Sequence, residues 1–84
     1  MQLRHDGLTW QVVGDEVVVL DLDGSVYLRL NGSGRTLWEL LSEERTEDDL
    51  VGALVDEYGI DHGRASSDVA AFIADLRARK LLES

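Results

Sequence analysis

Cysteine and proline are both missing from these 84 residues. Without cysteine there is neither a disulfide framework nor a thiolate metal site, and a reducing cytoplasm is the expected compartment. Without proline, a Gly/Ser-rich linker or an internal repeat, no domain boundary is indicated. Residues 1–84 therefore read as a single domain, near the small end of what folds without a staple. Long hydrophobic runs are missing too: none approaches the roughly 18 residues of a membrane span. Met1-Gln2-Leu3-Arg4-His5-Asp6 lacks the apolar core of a signal peptide. Positive charge is scarce, with 8 basic against 17 acidic side chains and a net charge of −9. Nucleic-acid binding needs Lys and Arg to displace counterions from phosphates, so this balance argues against it. It would attract a basic partner, and it also serves solubility. A hydrophobic content of 44% is that of a globular chain.

Side-chain sets for catalysis are equally sparse. His5 and His62 are the only histidines, and neither has a second ligand at metal-binding spacing. Ser33 in Asn31-Gly32-Ser33-Gly34 lacks the Gly-x-Ser-x-Gly frame of a nucleophile turn. Gly32-x-Gly34 lacks the third glycine and acidic partner of a dinucleotide site. Glu47-Asp48-Asp49 suits the first turn of a helix and does not form a calcium loop. No catalytic residue, metal or cofactor is expected, and the chain does not read as an enzyme.

What is present is a change of period. Leu8-Thr9-Trp10-Gln11-Val12-Val13 alternates as a strand, and Gly14-Asp15 is a tight turn. Val17-Val18-Val19-Leu20-Asp21-Leu22 is nearly continuous in apolar residues, as a central strand would be. Asp23-Gly24 is a hairpin signal. The third strand, residues 25–30, puts Val26, Leu28 and Leu30 toward the core and Ser25, Tyr27 and Arg29 away from it. The period then lengthens, so the strand passes directly into a helix at Asn31, the expected N-cap. That helix buries Gly34, Leu37, Trp38 and Leu41. Gly34 costs roughly 1 kcal/mol there relative to Ala, and close packing on the sheet would explain it. After an exit loop at Ser42-Glu43-Glu44-Arg45, Thr46 caps a second helix with Asp49 in a weaker capping box, and Gly59 ends it. Its apolar side is Leu50, Val51, Leu54, Val55 and Tyr58. Asp61 caps a third helix whose stripe is Ala65, Val69, Phe72, Ile73 and Leu76. Arg77, Arg79 and Lys80 suit its C-terminus, and Leu81 and Leu82 fold back onto the core. The expected fold is α+β: a three-stranded antiparallel sheet followed by three helices.

On that frame, the run from Tyr27-Leu28-Arg29-Leu30-Asn31-Gly32-Ser33-Gly34 through Leu37-Trp38-Glu39-Leu40-Leu41 resembles the x-Leu-Asn-x-x-Gly-x-x-Ile/Leu-Trp-x-Leu-Leu signature of the PqqD-like family, or RiPP recognition elements. Leu50, Leu54, Tyr58 and Ile60-Asp61 resemble its second helix and exit; Asp68-Val69, Phe72-Ile73, Leu76 and Leu81-Leu82-Glu83 resemble its third helix and end. Lys80 stands where many members carry glycine, which suggests a less sharply ended last turn. The resemblance implies a small winged-helix-like domain that binds the leader segment of a ribosomally made precursor peptide. The leader adds as a strand to the edge of the third strand, in a cleft beside the third helix. A chain of this length resembles the leader-binding half of split lasso-peptide systems, whose partners are a cysteine-type leader peptidase and an ATP-dependent cyclase. Lasso leaders typically carry Tyr-x-x-Pro and are often basic. Alternatives are a PqqD-type chaperone for a radical enzyme of quinone-cofactor synthesis, and a winged-helix nucleic-acid binder.

The expected peptide-binding residues are therefore Ser25, Val26, Tyr27, Leu28, Arg29 and Leu30, acting chiefly through main chain, with Asp68, Phe72, Asp75 and Arg79 on the flank of the third helix. Two readings of that flank stand side by side. Phe72 forms an apolar pocket and the aspartates meet leader Lys or Arg, or Phe72 is core and the aspartates are solvated. Tyr27 and Arg29 would cover the outer sheet face, with Trp10 if the register allows. Trp38 reads as buried structure.

Overall fold

Each change of apolar period becomes a change of element. The computed structural model describes residues 1–22 and 26–83. Its elements are β1 (Gln2–Leu3), β2 (Leu8–Val13), β3 (Glu16–Asp21), β4 (Val26–Leu30), α1 (Gly32–Leu40), α2 (Glu47–Tyr58), α3 (His62–Ala78) and β5 (Leu82–Glu83). The Asp23-Gly24 turn, Ser25 and the side chain of Val26 lie outside the described residues. Strands β2, β3 and β4 form an antiparallel sheet in that order, so the apolar strand is central as expected.

Register decides the two faces of the sheet. Trp10 lies opposite Val19, and Val19 opposite Leu28. Because directly opposed residues share a face, these three look inward with Leu8, Val17 and Leu30. Trp10 thus belongs to the core side and not to the outer face. Its ring meets Trp38 edge-on, with centroids 5.6 Å apart and planes at 86°. Such a pair adds about 0.5–1.5 kcal/mol beyond burial. The buried core joins Val17 and Val19 of the sheet to Leu37, Trp38, Leu50, Leu54, Val69, Ile73 and Leu76 of the helices.

The helix ends follow their local chemistry, with two exceptions. In α2 the capping box is complete: the Asp49 backbone N–H donates to Thr46 Oγ1 at 3.1 Å, and the Thr46 N–H donates to Asp49 Oδ2 at 2.9 Å. Gly59 ends α2 in the left-handed region, and Asp61 caps α3 through the Gly63 N–H. Asn31 occupies the N-cap position of α1, but its side chain makes no capping bond. The other exception is Lys80, which adopts φ 61°. Its N–H donates to the Arg77 carbonyl, and the Leu81 N–H donates to the Leu76 carbonyl at 2.9 Å, so the last turn of α3 is sharply closed even without glycine. A lysine held in this conformation costs about 1 kcal/mol. Lys80→Gly is accordingly expected to stabilise the fold by about 1 kcal/mol, raising Tm by roughly 4–8 °C. An unchanged or lower Tm in a thermal melt would show that the turn is unstrained.

The Thr46 N–H holds the Asp49 carboxyl below its usual range, with the Thr46 hydroxyl adding to the effect. A depressed folded value means that its stabilisation is complete above the ordinary carboxylate pKa of about 3.9 and disappears as pH falls through the folded value. Melts between pH 6 and pH 2 should show this loss in the wild type, and a smaller loss in Asp49→Asn.

Sequence periodicity did not indicate the β1–β5 pair. Gln2 lies opposite Glu83 and Leu3 opposite Leu82, which joins the two ends of the described chain. Leu3 and Leu81 are both buried beneath this ribbon. Arg4 locks it to the main sheet. Its Nη2 donates to Asp21 Oδ1 at 2.6 Å, its Nη1 to the Lys80 carbonyl and its Nε to the Asp6 carbonyl. Asp21 is only 2% exposed.

Candidate peptide-binding cleft

A three-stranded meander has two edges, here β2 and β4, and β4 is the one that leads directly into α1. Among the described residues no strand pairs with its outer side, so a row of backbone donors and acceptors is available to an incoming chain. Leu28 and Leu30 project from β4 toward the inner face and remain half-buried, packed against the core but not closed over. Phe72 of α3 is likewise half-buried. Gly34, in the first turn of α1, sits between the two walls. A Cβ placed there would lie 3.4 Å from Leu30 Cδ2 and 3.8 Å from Phe72 Cε1. These are ordinary van der Waals distances, so close packing does not demand the glycine.

The remaining expected residues divide between two surfaces. Tyr27 and Arg29 lie on the outer face, as their alternation indicated; Tyr27 is 60% exposed. Arg29 pairs with Glu16 across the sheet, and that hydrogen bond favours its charged form. Tyr27 joins Val18, Leu20, Thr9 and Gln11 around a shallow depression. On α3, Asp75 accepts from Arg79 Nε at 3.1 Å, while Asp68 lies 3.9 Å from Arg64 Nε. Both are exposed i,i+4 pairs, worth a few tenths of a kcal/mol each. The flank therefore alternates in sign, and a basic ligand must compete with Arg64 and Arg79 for the two carboxylates.

Next to Gly34 and one turn from Phe72 lies a second hollow of about 200 Å³, lined by Ser33, Tyr58, Ile60, Arg64 and Asp68. Of these only Asp68 was expected at a site. The others come from three different helix ends, and no spacing within one element brings them together. The Tyr58 hydroxyl and Thr36 Oγ1, 2.7 Å apart, tie α2 to α1 beside it. Among the described residues no group of three or more His, Cys, Asp or Glu could hold a metal ion. None of the described helices is long and apolar enough to cross a membrane.

A family profile described as "Coenzyme PQQ synthesis protein D (PqqD)" matches residues 16–82. The chain belongs to the PqqD family. Two solved structures share its fold over nearly the whole length. The structure of TbiB1 in complex with the TbiA(beta) leader peptide superposes with a TM-score of 0.90 at 31% identity, covering 100% of this chain and 96% of that one. The structure of lasso peptide synthetase B1 complexed with the leader peptide gives 0.85 at 22% identity, covering 99% and 96%. No curated protein sequence matches. The matched span includes the β4–α1 junction, with Gly34 and the buried Leu37 and Trp38.

Proposed function

We propose that this chain recognises the leader segment of a ribosomally made precursor peptide without catalysing a reaction on it. The leader adds to the outer edge of β4 as a further strand and lies between that strand and α3. Main-chain hydrogen bonds supply affinity, and alternate side chains entering the cleft supply selectivity. Residues 25–30 (Ser25, Val26, Tyr27, Leu28, Arg29, Leu30) make the edge, Phe72 the apolar wall, and Asp68, Asp75 and Arg79 its charged rim. Residues 1–84 act as one leader-binding domain in the cytoplasm. They deliver a lasso-peptide precursor to a separate leader peptidase and cyclase by raising its effective concentration there. The observation that carries this reading is the match, over the full chain at 31% identity, to a protein held in complex with a leader peptide.

A second reading is favoured by the name of the family: a chaperone that presents a peptide to a radical enzyme of quinone-cofactor synthesis. A peptidase and a cyclase encoded beside this gene support the lasso reading, and a radical enzyme supports the other. Fluorescence polarisation tests recognition itself, with a labelled leader from the neighbouring precursor gene and a labelled DNA duplex in parallel. Leader binding without duplex binding at physiological salt is expected. Duplex binding without leader binding would overturn the proposal in favour of a winged-helix nucleic-acid binder.

A further inference from the structure

Two helical glycines have no reason for being glycine within the folded chain. Gly34 in α1 and Gly52 in α2 both have ordinary helical backbone, where glycine is a poorer choice than alanine. A Cβ at Gly52 would meet nothing within 4 Å, and one at Gly34 would have Leu30 and Phe72 as its nearest neighbours, at normal contact distance. The two differ in where they sit. Gly52 is exposed on the outside of α2. Gly34 lies beside Leu30 of the edge strand and Phe72 of α3, two apolar side chains that are only half-buried.

We infer that Gly34 is the floor of a side-chain subsite, its missing methyl making room for an apolar side chain of the leader. The inference rests on strand addition at β4. An added strand turns every second side chain toward the inner face, where Leu28 and Leu30 already point. A side chain entering there passes between Leu30 and Phe72 and ends on the bare Cα of Gly34. Both walls are apolar, so the subsite selects an apolar group and excludes a charged one, whose desolvation would be uncompensated. Gly34 thus acts as a specificity-determining residue through the volume it leaves empty.

The two glycines form a matched experiment. Gly34→Ala and Gly52→Ala are each compared with wild type by thermal melt and by fluorescence polarisation against the labelled leader peptide. Both variants are expected to melt at or above the wild-type Tm. Gly52→Ala should bind as wild type does, and Gly34→Ala about tenfold more weakly, the usual scale of one methyl forced into a packed contact. In an alanine scan of the leader, the position that matters most to wild type should matter least to Gly34→Ala. Equal binding by Gly34→Ala and wild type would overturn the subsite. So would a lower Tm for Gly34→Ala, because packing would then require the glycine. Failure of the wild type to bind any leader is a different result, which removes the proposed function itself.

Discussion

Phe72→Ala is expected to weaken leader binding roughly 30-fold or more, the effect of truncating a central aromatic anchor. Phe72 is the only phenylalanine in the chain, and its Cε1 would lie 3.8 Å from a Cβ placed at Gly34. Because the ring also packs against the buried cluster, the same change should cost the fold about 2 kcal/mol. Titration calorimetry therefore has to be run well below the Tm of the variant. Phe72→Leu separates the two roles, since it keeps apolar contact with the core but shortens the wall, and should lose less of both. Unchanged affinity in a folded Phe72→Ala would remove α3 from the binding surface.

The second large effect falls far from the cleft. Arg4→Met is expected to destabilise the fold by about 3 kcal/mol or more, lowering Tm by on the order of 15 °C. The Asp21 carboxylate is almost fully buried, and this substitution withdraws the guanidinium that donates to it at 2.6 Å. It also removes the donors that hold the Asp6 and Lys80 carbonyls, loosening the ribbon of β1 and β5 from the sheet. Arg4→Met combined with Asp21→Leu should recover part of the loss, because the buried charge is then gone as well. A melt in which Arg4→Met behaves as wild type would reduce the contact to an ordinary surface ion pair.

These two sites also mark how far the sequence could be read. Elements governed by near neighbours were legible almost to the residue. Residues 8–13 alternate, and they form β2; Thr46, Asp49, Gly59 and Asp61 bound α2 and start α3 as their chemistry requires. Phe72 was read both within the α3 stripe and on its flank, and it is half-buried against the core. What escaped depended on contacts distant in sequence. Two-residue strands such as β1 and β5 carry no period, and their partners stand some 80 positions apart. Arg4 and Asp21 each look like solvated charges until the ribbon brings them together. The face that Trp10 occupies was fixed by strand register, which the turn sequence alone did not settle. Lys80 takes the left-handed position because burying Leu81 outweighs the local backbone cost. Gly34 does pack beside the sheet, through Leu30, but at ordinary contact distance that a Cβ would also allow.

The claim on which the rest depends is that a leader peptide pairs with β4 along its free edge. Amide hydrogen exchange, followed residue by residue with and without saturating leader peptide, tests it most directly. The account predicts slowed exchange at alternate amides of residues 26–30, those pointing away from β3, together with protection around Gly34. Residues 8–13 on the opposite edge of the sheet should be unchanged. Protection appearing along residues 8–13 while residues 26–30 exchange as in the free protein would contradict it.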